Sequence, residues 1–245
     1  MARPFLTAEW RYLAMLNFVV KAEVLQPLVP AGTELDFHEG RTFLSVVGFL
    51  FLNTRVLGLP VPLHRDFEEV NLRFYVRRRA EEGWRRGVTF VRELVPRRAI
   101  ALVARTFYSE PYAALPMRHA VRQEEGELSV AYEWRRAGHW ERLAMSATGR
   151  PQDSAADSHE EFITEHYWGY TARGALSSEY EVEHPRWRFW PATIWEFQAD
   201  IASLYGQQFA PALQASPVSA FVAEGSLVQV NRWSANSIRR ELSPD

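Results

Sequence analysis

Val70-Asn71-Leu72-Arg73-Phe74-Tyr75-Val76 alternates apolar and polar side chains residue by residue, which is the period of a β-strand with one face in a core. Residues 87–95 read as its antiparallel partner, since the two segments flank an arginine-rich tip that contains Gly83. Working outward, residues 11–20 and 43–52 are rich in apolar and β-branched side chains and read as strands. Between them lie a short helix over 22–28 that Pro30 stops and a turn at 32–34. Pro96 suits the first turn of a helix, and Ile100, Val103, Ala104 and Phe107 recur at helical spacing, so an amphipathic helix is expected over 97–108. Strands follow at 128–135, 140–147, 179–183 and 218–230, with a second helix expected over 193–213. Residues 149–159 are polar and form the one credible internal linker, so 1–245 reads as a single domain. Regular strand–helix–strand alternation is absent. The pattern is α+β, mainly antiparallel β, as a barrel or sandwich with inserted helices.

Composition excludes more chemistry than it names. Apolar residues make up 47% and charged residues 24% of the chain, with a net charge of -2, so nothing marks a nucleic-acid partner. Arg77, Arg78, Arg79, Arg85 and Arg86 cluster at the hairpin tip, but Glu81 and Glu82 interrupt them and they read as a solvated tip. The apolar stretch 43–63 is broken by Asn53, Thr54, Arg55, Pro60 and Pro62, which makes it a pair of buried strands and not a membrane span. With no cysteine and no export-signal pattern over 1–10, a cytoplasmic location is expected. Lys21 is the sole lysine among 28 basic residues. Amine-based covalent catalysis therefore has one candidate side chain, and thiolate catalysis has none.

Two stretches carry a resemblance. Residues 16–49 give a strand, a short helix ending in Leu28-Val29-Pro30, then Gly32-Thr33-Glu34-Leu35-Asp36 and a strand. Residues 69–116 give Glu69-Val70-Asn71-Leu72-Arg73-Phe74-Tyr75, a helix whose end reads Ala104-Arg105, and Pro111. Both resemble the acetoacetate decarboxylase superfamily. Phe67-Glu68-Glu69-Val70-Asn71-Leu72-Arg73, Phe162-Ile163-Thr164-Glu165-His166-Tyr167 and His184-Pro185-Arg186-Trp187 are similar to the YqjF-like family, a bacterial domain of unknown function in the same superfamily. The resemblance implies a cone-shaped antiparallel β-barrel with flanking helices and an internal cavity open at one end.

The decarboxylase nucleophile is a lysine in a Pro-Lys-Lys sequence, its pKa depressed by an apolar site and a cationic neighbour. One register, matching Arg92-Glu93, places Arg97 and Arg98 at the lysine positions; another, matching Arg105 and Pro111, places Tyr112 and Ala113 there. Neither supplies an amine. Lys21 stands beside Glu23 in a strand-to-helix corner and reads as a surface residue, so Schiff-base decarboxylation does not carry over.

The resemblance aligns Glu69 with an acidic cavity residue, and alternation sends Asn71, Arg73 and Tyr75 to the same side of the strand. A carboxyl in a partly desolvated cavity has a raised pKa and can exchange protons α to a carbonyl; the bland alternative is a charge ladder between Glu69 and Arg73. Arg105 and Arg118 are candidate clamps for a substrate carboxylate, with ion pairing to Glu93 or Glu110 the alternative for Arg105. Tyr112 is a candidate hydrogen-bond donor to a carbonyl, or a half-buried aromatic. Glu165, Tyr167 and Tyr170 are expected on the cavity wall, with His184 and Trp187 at its mouth. His159, Glu161, Glu165 and His166 fit no zinc spacing, so no metal is expected, and no motif points to a cofactor. Trp187, Phe189, Trp190 and Trp195 read as core. Gly225-Ser226 reads as a bulge or a close backbone approach. The expectation is a protein that binds a small oxo- or carboxylate-bearing molecule, as a lyase, isomerase or hydratase without imine chemistry. The alternatives are a sensing module or a barrel filled with side chains. No nucleic-acid or membrane partner is expected, and a homo-oligomer is left open.

Overall fold

Thr42 to Phe51 is buried at every position, a run too apolar for a strand that has one wet face. The computed structural model, which describes residues 4–61, 64–96, 111–174, 176–231 and 234–239, shows what covers the second face. The strands are β1 (Leu6–Val20), β2 (Glu34–Leu35), β3 (Thr42–Val56), β4 (Leu59–Pro60), β5 (Phe67–Ala80), β6 (Gly83–Val95), β7 (Tyr112–Ala114) and β8 (Met117–Glu124). They continue as β9 (Glu127–Arg136), β10 (His139–Thr148), β11 (Trp168–Arg173), β12 (Leu176–Glu183), β13 (Phe189–Gln198), β14 (Ser219–Val230) and β15 (Ser234–Arg239). Short helices interrupt them: α1 (Ala22–Leu25), α2 (His159–Thr164), α3 (Ile201–Leu204) and α4 (Ala210–Leu213).

The strands β12-β11-β6-β5-β3-β1-β14 form a ring, closed where Val182 and Glu183 of β12 pair with Val230 and Gln229 of β14. Its pairings are antiparallel except for β6 with β11. From β14 the sheet continues through β13, β10, β9 and β8, and this extension folds over the outside of the ring. Two cores result. Phe43, Val47, Phe49, Phe51, Phe67 and Tyr75 lie inside the ring. Leu44, Val46, Val70, Leu72, Phe74 and Val76 face outward onto Tyr132, Trp134, Leu143 and the α3–α4 segment. Strands β1, β3 and β5 are therefore buried on both sides, and the α+β, mainly antiparallel class and the barrel-like ring match the sequence expectation.

Several elements differ from that expectation. The single helix expected over 193–213 is strand at its start and short helical turns after it: Phe189–Gln198 pairs with β10 and β14, where Thr193, Ile194, Trp195 and Phe197 suit an extended backbone, and helical turns occupy 201–204 and 207–213. Helix begins only at Asp200, whose carboxylate accepts a hydrogen bond from the Ser203 N–H at 3.2 Å, and Gly206 with φ 114° ends it. Phe162 to Thr164 belongs to α2, which Ser158 caps through a hydrogen bond from the Glu161 N–H. Edge strand β8 carries Arg118, His119, Arg122 and Glu124 and shows no alternation to read. The helix expected over 97–108, and with it Arg105, lies outside the described residues.

The arginine cluster is stitched down more than it is solvated. Arg78 and Arg85 both reach Glu179, at 3.1 and 2.7 Å, Arg86 pairs with Asp36 at 2.7 Å, and Arg77 pairs with Glu34 at 2.7 Å. Glu179 and Asp36 are buried carboxylates, so these guanidiniums satisfy charges that would otherwise be costly.

Close packing of β14 on β1 depends on one glycine. Gly225 has φ 75°, and a Cβ there would stand 1.9 Å from the Trp10 carbonyl oxygen. Gly225→Ala is expected to destabilise the fold by at least about 2 kcal/mol, from left-handed strain and the backbone clash together. A urea denaturation midpoint indistinguishable from wild type would contradict this.

Candidate functional site

Breaks in strand alternation build the cavity wall. In β1 an extra residue falls between Arg11 and Ala14, with Tyr12 at φ 55°; in β3 another falls opposite the Thr7-to-Glu9 step, with Asn53 at φ 56°. In β6 a third separates the partners of Leu72 and Arg73. Each bulge switches which side the following residues face. Trp10 and Leu13, Phe51 and Thr54, and Phe90 and Glu93 are each three positions apart, which regular alternation would send to opposite faces, yet all six line one cavity. That cavity, of about 390 Å³, lies inside the ring and has a mostly apolar wall that Phe49, Phe67, Val182 and Val230 complete.

Its polar groups are few and come from adjacent strands. Glu69, Asn71 and Arg73 follow one another along β5, whose pairing with β3 is regular from Phe67 to Phe74, so the alternation read from the sequence holds. Glu93 faces Asn71 across β6, and Tyr112 lies beside Glu93 on β7. Glu69 is buried; one carboxyl oxygen accepts from the Asn71 amide at 3.0 Å and the other from the Tyr112 hydroxyl at 3.2 Å. Burial pushes its pKa up to about 7, against the opposing pull of Asn71, Tyr112 and the positive charge of Arg73. Glu69 and Arg73 form no ion pair with each other. Arg73 donates to the Ile163 carbonyl at 3.3 Å and lies over the Tyr75 ring, and its buried Nε has no protein partner among the described residues.

The remaining sequence candidates distribute differently. Tyr75 lies on the same side of β5 but deeper, where its hydroxyl shares a 2.6 Å hydrogen bond with Ser45, so it supports Arg73 and does not line the cavity. Tyr167, His184 and Trp187 form a stack, with ring centres 4.7 and 4.0 Å apart, and Trp187 packs beside Trp10 at 6.3 Å. Glu165 accepts a hydrogen bond from Tyr167 at the end of α2; none of these four lines the cavity. His184 is neutral near pH 7, since burial drives its pKa to about 4. Tyr170 is buried against Glu179 at 2.9 Å. Arg118 is exposed on β8, paired with Glu133 at 2.5 Å, and is not brought to the cavity. Lys21 is exposed at the corner where β1 meets α1. No group of three or more His, Asp or Glu that could hold a metal ion occurs among the described residues, and no helix there is long and apolar enough to cross a membrane.

Sequence reasoning passed over Trp10, Thr54, Phe90 and Glu93 as wall residues. For Glu93 a signal existed: a lone carboxyl between Val91 and Leu94-Val95 in an apolar strand. For the others the bulges erased it.

Chains similar to this one fall into two groups. A family model described as an uncharacterized conserved protein, DUF2071, matches residues 7–226. The uncharacterized protein YqjF of Bacillus subtilis (strain 168) is 30% identical over 183 residues, covering 73% of this chain and 72% of that one. Among solved structures, acetoacetate decarboxylase from Legionella pneumophila subsp. pneumophila str. Philadelphia 1 superposes with a TM-score of 0.64 at 14% identity over 96% of this chain and 88% of that one. An acetoacetate decarboxylase-like enzyme from Sphingomonas wittichii RW1 gives 0.63 at 15% over 96% and 93%. The enduracididine biosynthesis enzyme MppR, complexed with the condensation product of pyruvate and imidazole 4-carboxaldehyde, gives 0.66 at 11% over 98% and 92%. At these identities the likeness establishes the fold alone.

The raised Glu69 pKa has a consequence for stability. An unfolded glutamate ionises near 4.5, so between about pH 4.5 and 7 the folded chain keeps a proton that the unfolded chain has lost, and stability falls across that window as pH rises. Glu69→Gln removes this loss while keeping a carbonyl acceptor for the Asn71 amide and an NH2 that the Tyr112 hydroxyl can accept from. Relative to wild type it should gain on the order of 3 kcal/mol between pH 4.5 and pH 8, read from paired denaturation curves. Parallel pH profiles would show that Glu69 ionises normally.

Proposed function

The chain belongs to the DUF2071 family of uncharacterized conserved proteins, and from that premise we propose that its cavity binds a small oxo- or carboxylate-bearing organic molecule and exchanges a proton with it. The observation that carries this reading is the pairing of a buried carboxyl titrating near neutrality, Glu69, with an arginine, Arg73, that no carboxylate neutralises among the described residues. A guanidinium in an apolar wall is a strong anchor for a ligand carboxylate. A carboxyl that titrates near the working pH can both take and return a proton at a carbon next to a carbonyl. MppR, similar in fold, has been solved with pyruvate, which is such a molecule.

Imine chemistry has no place in this mechanism. The single lysine is exposed and outside the cavity lining, so reaction with acetoacetate or pyruvate followed by borohydride should leave the protein mass unchanged. A stable adduct on Lys21 would overturn the assignment. The steps available instead are anchoring at Arg73, polarisation of the ligand by the Asn71 and Tyr112 dipoles, and proton exchange at Glu69, the chemistry of a lyase, isomerase or hydratase.

The test is deuterium incorporation. In heavy water, wild-type protein should exchange the α-hydrogens of a bound 2-oxo acid, followed by proton NMR, and Glu69→Gln should lose exchange by at least about 100-fold while still binding. One observation favours a second reading, a binding module without turnover: both Glu69 oxygens are already engaged by Asn71 and Tyr112. Ligand binding that survives in Glu69→Gln, with no exchange in wild type, would select that reading. Either way, a carboxylate arriving beside Glu69 raises its proton affinity further. Binding near pH 7.5 should therefore take up protons, visible as a dependence of calorimetric heat on buffer ionisation enthalpy.

A further inference from the structure

The lumen of the ring is blind at the end where Arg73 stands. Beyond Arg73 the interior is filled: the Phe162 ring lies 5.3 Å from Tyr75 and 5.7 Å from Phe43, and Tyr75 is tied to Ser45. The polar groups come next, where Asn71 faces Glu93 across the sheet and Glu93 faces Tyr112. Away from these groups and Glu69 the lining is apolar but for Tyr180, Thr54 and His64. At the far end Val56, Leu6, Val230 and Val182 are successive register partners across β3, β1, β14 and β12. All four line the cavity, as an aliphatic collar at one height.

Arg73 stands opposite Ser45, so the run of β3 from Ser45 to Val56 separates the blind end from the collar. At about 3.3 Å per residue and a strand tilt of about 35–45°, that run spans roughly 25 Å along the ring. Trp10, Phe51 and Phe67 are register partners at an intermediate height, which by the same measure lies roughly 15 Å from Arg73. A volume of about 390 Å³ drawn out over such a length makes a slender lumen and not a round chamber. A short acid leaves most of it empty. An extended hydrocarbon chain advances roughly 1.25 Å per carbon, so about twelve carbons reach from Arg73 to the aromatic height.

We propose that the cavity takes an unbranched aliphatic acid of about eight to fourteen carbons, its carboxylate at Arg73 and its tail running past Trp10, Phe51 and Phe67 toward the collar. This rests on the reading of the cavity as a carboxylate site and adds the class of molecule. Direction follows from charge: the reverse orientation would set the carboxylate against Val56, Val182 and Val230 and face Arg73 with hydrocarbon. The polar groups between do not oppose the tail, since both Glu69 oxygens already accept hydrogen bonds from Asn71 and Tyr112. Affinity is then set by the tail, because each methylene that leaves water for an apolar wall strengthens binding up to about fourfold.

The experiment is calorimetric titration of the full chain with butanoate, hexanoate, octanoate and decanoate, each below its micelle threshold. Affinity should rise roughly two- to fourfold per added carbon, so that decanoate binds at least about fiftyfold tighter than butanoate. Arg73→Gln should weaken octanoate and decanoate at least about tenfold. The alcohol 1-octanol carries a tail of the same length without the charge and should bind wild-type protein at least about tenfold more weakly than octanoate. That comparison decides the role of the charge even where the variant fails to fold. If butanoate binds as tightly as decanoate and Arg73→Gln abolishes both, the chain assignment fails and the carboxylate site stands. If binding shows no dependence on Arg73, or 1-octanol matches octanoate, both fall.

Discussion

Strands β1, β3 and β5 have no dry side and wet side, because an interior cavity wall lies on one face and a folded-over sheet on the other. Every other feature follows from burying both faces of these strands at once. Their outward residues, among them Leu44, Val46, Leu72 and Phe74, fill a conventional core against Tyr132 and Trp134. Fixing that outer core frees the inner face to stay partly hollow, since stability need not come from filling it. A ring of this size packed only from within would have to close over its own interior. The extension through β13, β10, β9 and β8 removes that requirement.

How much of this was legible in the sequence depended on local regularity. The heptapeptide from Val70 to Val76 alternates, β5 pairs with β3 without a shift there, and Glu69, Asn71 and Arg73 line one wall, while Tyr75, expected beside them, lies deeper against Ser45. The resemblance to the YqjF-like family and to the decarboxylase fold was also readable, from turn and strand residues such as Gly32 to Asp36 and Phe67 to Arg73. Hidden were the contributions that come through irregularity: Thr54 behind the Asn53 bulge, Phe90 beside the β6 bulge, and Trp10 before Tyr12. The helix misread over 193–213 has a different cause. Its apolar spacing tolerates a helix, and over 193–198 pairing with β10 overrides that local preference, while the rest forms short helical turns.

The electrostatics of the interior are sparing. Most of the arginines around the hairpin tip are spent on Glu34, Asp36 and Glu179, where they hold β2, the segment after it and β12 to β5 and β6. Arg73 is held by a backbone carbonyl and an aromatic face, which leave its positive charge uncompensated. Glu69 avoids the cost of burial by keeping its proton near neutrality instead of recruiting that arginine. The two groups, four residues apart on one strand, form no ion pair with each other.

The bulges give the pocket an unusual way to change over generations. A one-residue deletion at Asn53 would restore strict alternation in β3 and rotate Thr54 and Val56 out of the hollow, and a compensating insertion elsewhere in the strand would bring different neighbours in. Descendants of this chain could thus exchange the residues that line the hollow by small length changes alone. Composition and the outer core would remain almost as they were.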